Sequence, residues 1–548
     1  MQRALRRRRV VILRSKWHAV ARWGQHQDRM SLGRNFITVG AGTALSRLLG
    51  FARDILVAAL LGSGPIADAF VVAFRLPNLF RRLLSEGAFN ASFVPMLARI
   101  RSEDGDPAAA LFAGRLLSVF AIGLLVITLI AELGMSGLVY ALAPGFAAEP
   151  EKFQLTVWLA RIAFPFLAFA TLAALFAGLL NAAGRFSVAA FAPAALNLVL
   201  VGALLGAGWS GLGGSRIAAV WLCWAVAFGG LVQLLLCVAG LRYAGLHLPW
   251  VRPALDPNVR RLLYLTLPGV LASGIAQINA FIGAIIGSGA PGVVSYLYYA
   301  DRVYQLPLGV TGVAIGLVLL PDLSRRLAAG DADGAQRAQN RALEFAFLLT
   351  LPAAIALAVA ARPIVDVLFQ HGVFSPQAAR ATAATLAAFA IGLPGYVIAK
   401  ALQQPFFARE NVRTPVIIAL AGAAADVALS LALFGSLASV GIAIAASVAG
   451  WINAAGLAVM LHRQHDLTID RATSRRMGLV LVAALAMGGA LYLACGLLAP
   501  WLSPAQPLAV KGGALLALCG GGLALFLALA QALGAIDLKT MSAVLRRP

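Results

Sequence analysis

Fourteen stretches of mainly apolar residues, at about 36–61, 66–98, 111–142, 154–181, 187–208, 216–241, 261–288, 293–323, 340–361, 377–407, 415–437, 439–461, 477–501 and 509–535, leave little choice of architecture. Each is roughly 20 residues or longer, the length at which a helix spans ~30 Å of hydrocarbon. At that depth every backbone N–H and C=O must be satisfied within the protein, which selects helices over irregular chain. The expected fold class is an all-α polytopic membrane protein of about 14 transmembrane helices. Composition agrees, since only 12% of the residues are charged against about 25% in soluble domains. The second and eighth stretches hold Pro77 and Pro95, and Pro307 and Pro321, and are expected to be broken or kinked. No loop is long enough for a soluble catalytic domain, so any chemistry belongs to the helices.

The formal net charge of +22 invites a nucleic-acid reading, but the placement of the charges answers it. Alternate loops carry Arg99 and Arg101, Arg185, then Arg242, Arg252, Arg260 and Arg261, then Arg325, Arg326 and Arg337, then Arg409 and Arg413, then Arg463, Arg471, Arg475 and Arg476, and finally Lys539, Arg546 and Arg547. The opposite side offers little beyond Lys152, Arg216, Arg362, Arg380 and Lys511. Basic loops mark the cytoplasmic side. Both termini are therefore expected in the cytoplasm and the chain in the cell inner membrane, with no nucleic-acid partner. Cys223, Cys237, Cys495 and Cys519 lie singly in apolar segments and read as small hydrophobes, not as a disulfide framework or metal site. Residues 1–34 read as a basic cytoplasmic arm, although Met30-Ser31-Leu32 offers an alternative start.

An internal repeat organises the rest. Pro95-Met96-Leu97-Ala98-Arg99 is echoed by Pro321-Asp322-Leu323-Ser324-Arg325, and Arg185 with Pro193 by Arg409 with Pro415, at a spacing near 226 residues. Six helices per unit give parallel repeats, which places an N-lobe at 35–243, a C-lobe at 244–462, and two further helices with a cytoplasmic tail at 463–548. Substrate sites in such bundles are expected at the lobe interface near midplane.

The candidate site begins in the first helix, where Ser46, Arg47, Gly50, Arg53 and Asp54 share one arc of about 120° at 100° per residue. Ionisable groups at membrane depth are costly and usually face a bundle interior or a watery cavity. Asp68, Arg75, Asn78, Arg81, Arg82 and Glu86 extend the set along the second helix; Gln277, Asn279, Ser295, Asp301, Arg302 and Gln305 supply the C-lobe. Arg47, Arg53, Arg81 and Arg302 outnumber Asp54 and Asp301, and such guanidiniums suit a bidentate oxyanion, phosphate or pyrophosphate above all. The structural alternative is pairing within a gate, Arg53 or Arg47 with Asp54 and Arg302 with Asp301. Asp426 and Ser430, one turn apart, offer oxygens to a cation or simply an interhelical hydrogen bond.

The runs SRLLGFARD, DAFVVAFRLPNLFRRLLSEGAFNASFVP, APGF at Ala143–Phe146, NAAGRFSVAAFAP, YYADRVYQLPLG and LLPDLSRRL closely resemble the MurJ (MviN) family of bacterial lipid II flippases. The resemblance spans roughly residues 31–540 and implies the fold of the multidrug/oligosaccharidyl-lipid/polysaccharide exporter superfamily. It implies two six-helix lobes around a cationic cavity and a groove for a polyprenyl tail along helices 13 and 14. It implies a substrate-binding set of Ser46, Arg47, Arg53, Arg81 and Arg302, with Asp54, Asp68, Asp301, Ser295 and Gln305 in gating or cavity positions. Gln305, where some relatives carry an acid, and Gln277 with Asn279, where some carry a cation-binding Asp, stand against sodium coupling.

The expected activity is transfer of lipid II from the inner to the outer leaflet by alternating access, not enzymatic catalysis. It is expected to need no cofactor, and membrane potential or a monovalent cation is expected to drive it. Cell-wall synthesis machinery is an expected partner, and the chain is expected to act as a monomer. A multidrug/cation antiporter of the same superfamily would need an acidic, aromatic cavity. An enzyme acting on lipid-linked sugars would need a catalytic carboxylate or base.

Overall fold

The computed structural model describes residues 32–85, 88–246, 248–249, 251–464 and 466–536, with the side chains of 32–37, 83–91, 268–280 and 310–318 left out of the description. The helices are α1 (Leu32–Leu61), α2 (Pro65–Ser85), α3 (Ala88–Leu133), α4 (Met135–Leu142), α5 (Pro150–Ala163), α6 (Phe166–Ala182), α7 (Phe186–Trp209), α8 (Arg216–Tyr243), α9 (Pro257–Gly287), α10 (Val293–Ala328), α11 (Ala332–Val359), α12 (Ala361–Phe369), α13 (Pro376–Ala408), α14 (Arg413–Arg463), α15 (Arg471–Leu497), α16 (Ala499–Leu502) and α17 (Leu508–Ala532). No strand occurs among the described residues.

Helix covers part of each of the fourteen apolar stretches, and nine segments among the described residues are long and apolar enough to cross a membrane. The chain is a multi-pass membrane protein. Two long helices are really pairs. Gly105 breaks α3 at φ 83°, and Ala438 breaks α14 at φ 45°. At the second break Gly441 lies so close to Leu433 that an added Cβ would stand 2.8 Å from its carbonyl oxygen, so only glycine lets the chain reverse there without a longer loop. In contrast, the expected break in α10 is absent: its 36 residues run helically through Pro307 and Pro321. Each proline removes one ladder bond, but α11 and α13 pack along this helix and hold it.

The described residues divide into two compact units, one within residues 1–61 and 65–281 and the other within residues 62–64 and 282–548. The packing boundary at 281/282 thus differs from the expected 243/244. Leu246, Val259 and Leu262 explain it, because they join the core of unit 1 with Phe112, Leu116 and Leu241. Ser118 Oγ donates to Val251 O at 2.7 Å and Arg115 pairs with Asp256 at 2.6 Å, fixing the connecting segment to α3. Residues 463–536 are likewise part of unit 2: Thr473 Oγ1 of α15 donates to Glu344 Oε1 of α11 at 2.7 Å.

Within unit 1, α1 packs tightly on α7, where a Cβ on Gly42 would stand 2.8 Å from Ala190. Within unit 2, the core lies between α10, α11, α13 and α14, around Leu323, Leu343, Leu402, Phe406 and Leu457. The Gly62–Gly64 turn belongs to this unit; the Tyr299 hydroxyl donates to Gly62 O at 2.9 Å, and Phe369 and Phe374 flank the tyrosine ring.

Candidate functional site

In unit 1 the arc on α1 is built around Arg53. Its Nε and Nη2 both donate to Asp54 Oδ1, at 3.0 and 2.8 Å, and its Nη1 donates to Asn197 Oδ1 at 2.9 Å. The guanidinium carbon stands 5.3 Å from the Phe74 ring centre. Three hydrogen bonds to two residues, and a ring, thus fix one side chain. Asp54 is buried and Arg53 nearly so, where hydrogen bonds to ionised groups are strongest.

Asn197 of α7 has a second task. Its Nδ2 donates to Ser46 O at 3.0 Å, so one amide ties the Ser46 turn of α1 to the Arg53 head group. An Asn197→Leu variant is expected to release both, and the bond to the charged guanidinium alone is worth about 1.5–3 kcal/mol. Activity of the membrane-inserted protein should fall by about ten-fold or more while insertion stays normal; unchanged activity would refute the tie.

Arg47, one turn below Gly50 on the same face, has the opposite character. It is exposed and makes no hydrogen bond or ion pair among the described residues. It lines a cleft of about 550 Å³ together with Thr43, Ser46, Asn181, Phe186 and Pro193. Its lining mixes the polar Thr43, Ser46, Arg47 and Asn181 with apolar residues such as Val39 and Ala190. Arg81 lies past Pro77 on α2, half-buried, with Nε 3.4 Å from Asn78 Oδ1.

Asp68, expected beside the cavity, is instead fully buried against Lys152 of α5. The ammonium donates to Asp68 Oδ2 at 3.1 Å, stands 4.1 Å from the Phe146 ring centre and reaches Glu149 at 3.7 Å. The sequence placed Lys152 in a loop; the fold makes it the counter-ion of Asp68. With Arg53 matched by Asp54 and Lys152 by Asp68, no described carboxylate pairs with Arg47, and this surface suits an anion.

In unit 2 the candidates lie on α10. The Gln305 amide donates to Asp301 Oδ2 one turn away. Arg302 holds its guanidinium carbon 4.7 Å from the Tyr298 ring centre, a cation–π arrangement. Ser295 is fully buried on the same helix. Asp426 and Ser430 are buried on α14, with Ser430 Oγ 3.3 Å from Asp426 Oδ1. No cluster of three or more metal-ligating side chains occurs among the described residues. The side chains of Gln277 and Asn279, and all of Glu86, lie outside the described residues.

The family model described as lipid II flippase MurJ matches residues 57–508. The chain belongs to the MurJ family. A probable lipid II flippase MurJ of Rhizobium meliloti (strain 1021) is 45% identical over 519 residues, 94% of this chain and 97% of that one. Its counterpart in Rhizobium tropici is 43% identical over 520 residues, with the same two shares. A solved lipid II flippase MurJ in an inward closed conformation superposes with TM-score 0.72 at 22% identity, covering 90% of this chain and 98% of that one. An inward-facing multidrug resistance MATE family transporter of the MOP superfamily gives TM-score 0.65 at 16% identity, covering 78% and 98%. Both solved structures share the fold of this chain, and its membership of a family of lipid II flippases makes it a transporter and not an enzyme.

Proposed function

We propose that this MurJ-family chain moves lipid II, the undecaprenyl-pyrophosphate-linked precursor of peptidoglycan, from the inner to the outer leaflet of the cytoplasmic membrane by alternating access. The observation that carries the reading is the open guanidinium of Arg47, which lines a cleft with Ser46, on the helix that also bears the anchored guanidinium of Arg53. Planar, permanently charged forks match the oxygens of a pyrophosphate. Arg81 and Arg302 are the further groups we assign to it, with Ser46 beside them. Asp54 and Asp301 are competitors for these arginines as the protein changes state; a state change needs such differential contacts. A cationic-drug antiporter needs an acidic lining, and the Arg47 cleft is basic.

In this reading both termini face the cytoplasm and the chain acts as a monomer that supplies the cell-wall synthesis machinery. No cofactor takes part. Membrane potential drives turnover, since one charge moved through the field is worth ~2.3 kcal/mol per 100 mV; a monovalent cation at Asp426 and Ser430 is the alternative source. Proteoliposomes with fluorescent lipid II test the proposal. Protein-dependent loss of lipid II from one leaflet without covalent change is expected, together with its abolition by Arg302→Glu. Product formation, or no movement from correctly inserted protein, would overturn it.

A further inference from the structure

The side of the chain facing away from the arginine-rich loops is poor in cations, with Lys152, Arg216, Arg362, Arg380 and Lys511 as its main ones. Lys152 is matched by Asp68, and Arg216 by Glu151 at 2.6 Å. The remaining three converge on a single carboxylate, Asp366 of α12. Arg362 Nε donates to Asp366 Oδ2 at 2.7 Å, and Lys511 and Arg380 lie near enough for their charges to act on the same group. Burial nevertheless holds the Asp366 carboxyl above the usual carboxylate range.

Lys511 makes this more than a surface cluster. It lies in the first turn of α17, is only 4% exposed, and its ammonium makes no hydrogen bond or ion pair among the described residues. The stem is packed away while the ammonium keeps a small opening to the surface, where a ligand can meet it. α17 packs against α11 and α12, and α12 against α13, which brings the three cations together. The other half of the arrangement is equally unfilled: Asp366 Oδ1 and Gln370 Oε1, one turn apart on α12, are buried acceptors with no donor. A ligand that satisfies everything must accept from the cations and donate to these two oxygens. Trp501 of α16 is half-exposed next to this corner, and Leu493, Leu497 and Leu516 of α15 and α17 point outward near it, the aromatic and apolar pattern expected at a membrane interface. Head groups occupy that depth.

We propose that Arg362, Arg380 and Lys511 form a second anion site, which holds the phosphate ester of a lipid head group while a hydroxyl or amide of the same head group donates to Asp366 and Gln370. The net positive charge favours a neutral donor over an ammonium, and a choline head group has no donor at all. The phosphate comes either from bulk phospholipid or from a polyprenyl pyrophosphate; the recognition chemistry is shared. The inference does not depend on transport.

Photo-crosslinking of the full chain in nanodiscs tests it, with phosphatidylglycerol, undecaprenyl-pyrophosphate-linked sugar and phosphatidylcholine probes in separate samples. Peptides covering residues 361–380 or 507–513 are expected to take up label from the phosphatidylglycerol or polyprenyl probe about five-fold more than from the choline probe. Which of the two labels identifies the source. The Arg380→Gln and Lys511→Gln double variant should fall to the choline level, and Lys511→Arg should retain labelling. Arg380→Gln alone, at an exposed position, serves if the double variant does not fold, and should lower labelling as well. Equal labelling by the choline probe, or labelling indifferent to these charges, would overturn the proposal.

Discussion

Arg53→Glu is expected to abolish lipid II transfer in proteoliposomes and growth support in cells depleted of their own flippase, with the protein still inserted. The substitution sets a carboxylate beside Asp54, which now accepts two hydrogen bonds from the guanidinium at 2.8 and 3.0 Å. Like charges about 4 Å apart at an effective dielectric of about 20 repel by ~4 kcal/mol. That alone is about three orders of magnitude in a local equilibrium. The loss of an anion-binding fork adds to it. Arg53→Lys keeps the charge but cannot bridge Asp54 and Asn197 at once, so a partial loss, about ten-fold, is expected. Measuring insertion by immunoblot alongside transfer separates misfolding from loss of function. Normal transfer by Arg53→Glu would remove the anion clamp from the mechanism.

The contrast between Arg53 and its partners shows how far a sequence reaches. The arc on α1 was legible because its members are local: residues 46, 47, 50, 53 and 54 share a helix face by the 3.6 period alone. The Arg53–Asp54 pairing was one of two readings for the same reason. Asn197, 144 positions from Arg53, was not found. It did leave a signal, since an amide inside the apolar stretch 187–208 is costly unless hydrogen-bonded. Lys152 was misplaced because it stands two residues before an apolar stretch, where snorkelling into a loop is the ordinary fate of a lysine. Ser295 was assigned to the cavity because it shares a helix with Asp301 and Arg302; its burial was not legible, since a short hydroxyl is buried as easily as exposed. The fold class was the easier problem. Apolar stretches reported where helices lie, down to the reversal at Ala438 between the eleventh and twelfth, whereas the packing boundary at 281/282 depends on Val259 and Leu262 meeting Phe112, which no local pattern encodes.

Lys152→Met is expected to be the most destabilising single change in unit 1. Asp68 is fully buried, and the ammonium at 3.1 Å is the counter-ion that permits its charge there. Removing one partner of a buried pair costs about 3–5 kcal/mol, because the other is left charged or must take up a proton. Glu149 loses little by comparison, being half-exposed at 3.7 Å from the same ammonium. The decisive comparison is the double variant Asp68→Asn with Lys152→Met. It removes both charges while keeping approximate volume, and a buried pair replaced in this way is often close to neutral for stability. Thermal unfolding of the purified chain in detergent should therefore rank wild type near the double variant, with Lys152→Met well below both. Transfer of lipid II then separates two roles. If Asp68 and Lys152 only brace α2 against α5, the double variant transports normally. If their charges exchange partners during turnover, it is stable and inactive. A Lys152→Met protein as stable as wild type would show that the pair contributes nothing to the fold.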